Sequence, residues 1–172
     1  MALFNPSLLL DFLPLTYTTP AYNYTDFAPP PVTLTGSYQD HGVDANGNGL
    51  YEALNINIGL TPGEAGLFIA SGRLLDSAGR EIGWATSQKE LAGSGGQTVT
   101  LSFSGGQIWA GGGDGPFTLA DLLVYHSGVP DQDAFLSTAH TTAGYSHLKF
   151  EGSAGGGGGG GSQRIYLPFI IK

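Results

Sequence analysis

The chain contains no cysteine. That removes disulfides, thiolate metal sites, cysteine nucleophiles and covalent haem attachment together, and it leaves the redox compartment open. Positive charge is scarce: 6 Lys and Arg stand against 14 Asp and Glu in 172 residues, a formal charge of −8. Binding to phosphate backbones needs clustered Lys and Arg, so no nucleic-acid partner is expected. Only 12% of residues are charged while 41% are hydrophobic, which suits a packed interior and not an acidic disordered chain. Long apolar runs are missing too. The opening fifteen residues are apolar, but Pro6, Asp11 and Pro14 interrupt them and no basic residues precede them. They make a poor secretion signal, pointing to a mature form or another export route, and they are too short to span a bilayer.

Helical spacing of apolar residues is absent as well, and strict alternation takes its place. Leu54, Ile56, Ile58 and Leu60 alternate with Asn55, Asn57 and Gly59, and Val99, Leu101 and Phe103 alternate with Thr98, Thr100 and Ser102. Residues 67–75 and 118–125 are further strand candidates. A period of two with β-branched and aromatic enrichment marks half-buried strands. The 29 glycines and 10 prolines punctuate these runs. Breaks at 76–79 and 92–96 look like hairpin turns, and one short helical turn is expected near Gln107, Ile108 and Trp109. The expected fold is all-β, an Ig-like antiparallel β-sandwich of roughly seven to nine strands with extended apolar N- and C-terminal strands. Four parts follow: an N-terminal extension (1–29), the sandwich (30–151), a Gly-rich linker (152–162) and a C-terminal strand (163–172).

The two ends do not fit a closed sandwich. Near the N-terminus Leu8, Leu10, Phe12 and Leu15 form an apolar strand candidate. At the C-terminus Ile165, Tyr166, Leu167, Phe169, Ile170 and Ile171 form another, reached through seven consecutive glycines. A Gly tract is a flexible tether, and an apolar strand left free in water invites aggregation, so such a strand is expected to dock. Residues 18–27 also resemble residues 141–150: Thr18, Thr19, Tyr22 and Phe27 match Thr141, Thr142, Tyr145 and Phe150 at the same spacing. Chance likeness of two Tyr-rich strands explains this, and so does a chain that opens with a copy of its own last strand. In the second reading Tyr22 and Phe27 join the strand-exchange set. Asn23 heads an Asn-Tyr-Thr sequence and is a glycosylation candidate, or simply a polar strand residue.

The sharpest motif lies at 44–52. Asp44, Asn46, Asn48 and Glu52 place oxygen side chains at positions one, three, five and nine, with Gly49 at six and the Leu50 carbonyl at seven. This is the first half of an EF-hand-type loop, and alternate hard oxygens on a tightly curved backbone suit calcium. Asp40 is a candidate extra ligand. Asn-Gly twice in succession is equally a hairpin signature that needs no metal. With these motifs the chain resembles a calcium-loop β-sandwich repeat domain of large secreted and surface proteins of bacteria and archaea, akin to tandem Ig-like surface domains. The resemblance covers about residues 30–150 and rests on the order of five segments: 44–52, 53–60, 76–79, 103–108 and 114–119. It implies domains strung in tandem, a structural Ca2+ and an extracellular or cell-surface location. The closing residues from Arg164 to Lys172 resemble short terminal tails of some secreted bacterial proteins.

Catalytic constellations are missing. His41, His126, His140 and His147 show no compact metal-ligand spacing, no Gly-x-Ser-x-Gly elbow occurs, and the Gly-rich runs lack a phosphate-loop lysine. Asp131 and Asp133 read as a solvated turn. No enzyme is expected. The leading expectation is a homopolymer, with subunits joined head to tail by a terminal strand and stabilised by the calcium loop. The alternative is a calcium-stabilised adhesin or carbohydrate-binding module with a glycan or surface partner, which exposed Trp84 or Trp109 would favour; one Trp per sheet is more often a core residue, and that is the expectation for both.

Overall fold

The computed structural model describes residues 19–23, 32–128 and 133–152. Seven strands are present among them: β1 (Val32–Val43), β2 (Ala53–Pro62), β3 (Gly66–Leu75), β4 (Glu81–Leu91), β5 (Gln97–Ser104), β6 (Thr118–His126) and β7 (Asp133–Thr141). One short helix, α1 (Gly105–Gly111), follows β5 where the helical turn was expected. The strands form two antiparallel sheets, β1-β2-β5 and β4-β3-β6-β7, so the all-β sandwich read from alternation is the observed fold.

Alternation becomes burial directly. Leu54, Ile56, Ile58 and Leu60 of β2 are fully buried, and Val99, Leu101 and Phe103 of β5 are buried beside them. Phe68, Ala70 and Leu74 of β3 and Leu119, Leu122 and Val124 of β6 face them from the second sheet. Removing one such side chain from water contributes roughly 1.5–3 kcal/mol, which is what commits each strand to its face.

The turn at 76–79 is a hairpin, as expected. Asp76 organises it, accepting hydrogen bonds from Ala78 N, Arg80 N and Arg80 Nε at 2.8–2.9 Å. The Gly-rich break at 92–96 is not a hairpin. It carries the chain from β4 in one sheet to β5 in the other, where β5 pairs with β2 from Leu60↔Gln97 to Ala53↔Ser104. Turn composition records a reversal of the chain, not the sheet that the next strand joins. The crossing closes this side of the sandwich: Leu91 is buried, and Lys89 Nζ donates to Thr98 O at 2.7 Å.

After β7 the chain straps one end of the sandwich. Thr142 and Phe117 exchange bonds, Thr142 N to Phe117 O at 2.8 Å and Phe117 N to Thr142 Oγ1 at 2.9 Å. A single 3-10 turn, His147–Lys149, then delivers Phe150, 1% exposed, into a cluster with Tyr51, Phe117 and Tyr145. Tyr51 and Phe150 form an isolated parallel bridge. The chain entering β2 leaves no room at Gly105, where a Cβ would lie 2.3 Å from Tyr51 O. Tyr145 and Phe150 are two of the four residues that recur near the N-terminus, and here they seal the end of the core.

Candidate functional site

Among the described residues the side formed by β1 and β7 is not fully closed. β1 and β7 are the edge strands of their sheets, and among the described residues no further strand pairs with either edge. Leu34 pairs with Leu60, and Tyr38 with Ile58, so both point inward. Ala134 pairs with Val124, and Leu136 with Leu122, so these point inward from β7. Both partners of the β7 pair are fully buried, yet Leu136 keeps 37% of its surface exposed. An inward-facing leucine with that exposure lacks a neighbour on its edge side among the described residues. The gap is a cleft of about 390 Å³ lined by Val32, Leu34, Tyr38, Ala134 and Leu136 among others.

Two features shape the cleft. The register of β1 shifts between Leu34 and Tyr38, where Thr35, Gly36 and Ser37 stand opposite the single Gly59 of β2. Gly36 sits at that shift with φ of +75°, a left-handed conformation that glycine adopts without strain. Tyr38 stacks on His140 with ring centroids 5.4 Å apart. Its buried hydroxyl has no hydrogen-bond partner among the described residues, and burial pushes its pKa up.

Toward the far end of β1 the same seam is clamped. Asp40, paired with buried Ile56, turns its carboxylate toward β7. Oδ1 lies 2.7 Å from His140 Nε2, while Oδ2 accepts from Tyr145 Oη at 2.9 Å and Ala143 N at 3.2 Å. Burial alone would raise the Asp40 pKa, but the hydrogen bonds from His140, Tyr145 and Ala143 together hold it below the ordinary carboxylate value. Asp76 is also lowered, chiefly by the Arg80 N–H, and Asp114 by His147. Burial and the Asp40 carboxylate push Tyr145 up to about 12.

The signs fix a pH profile. A carboxyl held below its unfolded value contributes stability above about pH 4, and that contribution is lost as the pH falls through the lowered pKa. Tyr145, raised when folded, contributes fully below about pH 10 and loses its contribution as the pH climbs toward the folded value. Thermal melts should therefore plateau across neutral pH and fall on both flanks. Asp40→Asn should lower the plateau and make both flanks shallower, because it removes one lowered carboxyl and part of what raises Tyr145. Unchanged flanks would show that the clamp is not what titrates.

The acidic loop lies at the strapped end, between β1 and β2. Every backbone N–H from Ala45 to Leu50 donates to a side-chain oxygen. Asp44 accepts from Gly47, Asn48 and Gly49, Glu52 from Ala45 and Asn46, and Asn48 Oδ1 from Leu50. Glu151, which the linear motif does not include, joins from the strap. Its Oε1 accepts from Asn46 Nδ2 at 2.9 Å and from Asn48 Nδ2. The donor set is therefore all oxygen: carboxylates of Asp44, Glu52 and Glu151, amides of Asn46 and Asn48, and the Leu50 carbonyl. That chemistry suits a hard cation such as calcium. Among the described residues no three His, Asp or Glu side chains are gathered closely enough to hold a metal ion by themselves, so the amides and the carbonyl would have to contribute. Asp40 stands apart from this set, with both oxygens committed to the β7 clamp.

The other expected residues are scattered. Tyr22 is 62% exposed, and Asn23 is exposed. Leu8, Leu10, Phe12, Leu15, Phe27, Ile165, Tyr166, Leu167, Phe169, Ile170, Ile171 and Asp131 lie outside the described residues. His126 packs on Phe68, His140 on Tyr38, and His147 lies 2.7 Å from Asp114, so these three serve different neighbourhoods. Trp84 and Trp109 are 52% and 47% exposed, with Arg73 over the Trp84 ring at 5.8 Å. Among the described residues no helix is long and apolar enough to cross a membrane.

Fold and seam together define a two-sheet antiparallel sandwich, closed along β4–β5 and, among the described residues, open along part of β1–β7. No family model matches the chain, and no curated protein matches it.

Proposed function

We propose that the chain is a structural subunit of an extracellular or cell-surface filament, assembled head to tail by exchange of a terminal strand. The observation that carries this reading is the exposure of inward-facing Leu136 beside an apolar cleft between two edge strands. A sandwich that lacks cover on one seam among the described residues, in a chain that carries apolar terminal segments, is complementary to a second copy of itself. A heterologous contact of that kind propagates into a filament where its rotation does not close a ring. The role is architectural, with no substrate turned over. Negative-stain microscopy of the purified chain tests it: polymers are expected, and single particles at every concentration would end the reading.

The loop at 44–52 is assigned a structural calcium role within the same reading. A ligand that binds only the folded chain raises its melting temperature by mass action. Melts with millimolar calcium and with excess chelator should differ, calcium giving the higher temperature and Glu151→Gln reducing the difference. Identical melts would remove calcium from the account.

Exposed Trp84 and Trp109 favour a second reading, a calcium-stabilised adhesin or carbohydrate-binding module, because exposed indole rings stack on sugar faces. Quenching or a blue shift of tryptophan fluorescence on titration with oligosaccharides would support it.

A further inference from the structure

The polymer reading leaves two donors open, the N-terminal segment and the C-terminal one, and the architecture separates them. One part of the N-terminal case is the likeness of residues 18–27 to 141–150, beside the apolar run at Leu8, Leu10, Phe12 and Leu15. The berth corresponding to that likeness is already filled: Phe150 is 1% exposed, Tyr145 is bonded to Asp40, and Thr142 is bonded to Phe117. A copy arriving from a neighbour would have to displace the chain's own strap. The β1–β7 cleft, by contrast, lacks cover among the described residues.

What the cleft requires can be read from its walls. Its inward-facing apolar residues recur at every second position along β7, at Ala134 and Leu136. A strand laid along that edge must carry apolar residues with the same period. Ile165, Leu167, Phe169 and Ile171 have that period over four successive positions, one more than Leu8, Leu10 and Phe12 near the N-terminus, where Pro14 takes the fourth place. Pro168 falls on the opposite parity, which a strand added at a sheet edge tolerates because only one of its sides needs donors.

The exits set the direction. Glu151 N donates to Tyr51 O, and a Cβ on Gly152 would meet the Trp109 ring, so the described chain leaves at the end where β1 finishes and β2 begins. The cleft lies at the other end of β1, from Val32 to Tyr38. Returning to its own cleft means running back about 25 Å along the body at strand rise. A ten-residue Gly-rich tether has a root-mean-square reach of about 17 Å, although fully stretched it spans about 35 Å. A second copy stacked end to end presents its cleft at the exit itself.

The geometry points to residues 164–171 of one copy as the strand that fills the β1–β7 cleft of the next. This assignment rests on the polymer reading, and the test separates their failures. Because the native chain has no cysteine, full-length Leu136→Cys and Phe169→Cys each carry a single thiol. Mixed and oxidised, they are expected to yield an interchain disulfide-linked peptide joining positions 136 and 169, detected by mass spectrometry. Its yield should stand about tenfold or more above a Ser94→Cys plus Phe169→Cys control, because docking raises the local thiol concentration. Leu34→Cys replaces Leu136→Cys should the latter fold poorly. Free peptide 163–171 in excess should also shorten polymers of the unsubstituted chain. Polymers that form with no link above control, or that ignore the peptide, overturn the assignment and leave the filament reading standing. Single particles throughout overturn both. An intrachain disulfide in the dilute double variant, without interchain links, places the strand in its own cleft and overturns the assignment.

Discussion

Phe150→Ala is expected to lower the unfolding free energy by about 3–5 kcal/mol, the range for deleting a fully buried phenylalanine whose surroundings cannot collapse. Collapse is blocked here because Tyr51, Phe117 and Tyr145 are each held by other contacts. Tyr51 N donates to Lys149 O, Phe117 is bonded to Thr142, and Tyr145 is bonded to Asp40. The cavity would open at the end of the core, between the strap and β2. Urea unfolding should show a lower midpoint with an unchanged slope. A loss below about 1 kcal/mol would mean that the strap frays independently of the sandwich, and its contacts would then not belong to the cooperative unit.

Removing residues 163–172 should abolish polymer while leaving the melting temperature of the body nearly unchanged. The reason is the division of labour in the fold. Among the described residues the core cluster is assembled from Val32 to Phe150, all of which precede the deleted segment. Removing 1–27 should leave polymer intact, because residues 141–150, which residues 18–27 resemble, already fill their place and the C-terminal strand is the assigned donor. Electron microscopy and sedimentation of the two truncated chains, with circular dichroism to check folding, read this out. If both still polymerise, strand exchange is not the joint. If only the N-terminal truncation fails, the donor is at the other end.

Much of the body was legible in the linear chain. A strand of alternating leucine and isoleucine such as Leu54 to Leu60 has one physical solution, a buried face and a covered sheet, because a slip of one residue would expose the whole apolar set. The break at 76–79 was readable for the same local reason: Asp76 bonds within its own turn. The loop at 44–52 was visible as spacing, and its observed hydrogen bonds tie Asp44, Asn46, Asn48 and Glu52 into one loop.

What depends on distant parts of the chain was not legible. Glu151 joins the acidic loop from 105 residues beyond Asn46. Asp40 lies four positions before Asp44, yet it bonds to His140, 100 residues on, because its parity on β1 turns it inward toward β7. The glycines at 92–96 announce a reversal, but the destination of β5 is decided by which sheet can bury Val99, Leu101 and Phe103. Local periodicity determined that the chain makes strands and which side of each is apolar. Only the tertiary structure decided which edges meet, because that depends on how two whole sheets pack, and so it alone revealed that Leu136 faces inward beside a seam left open among the described residues.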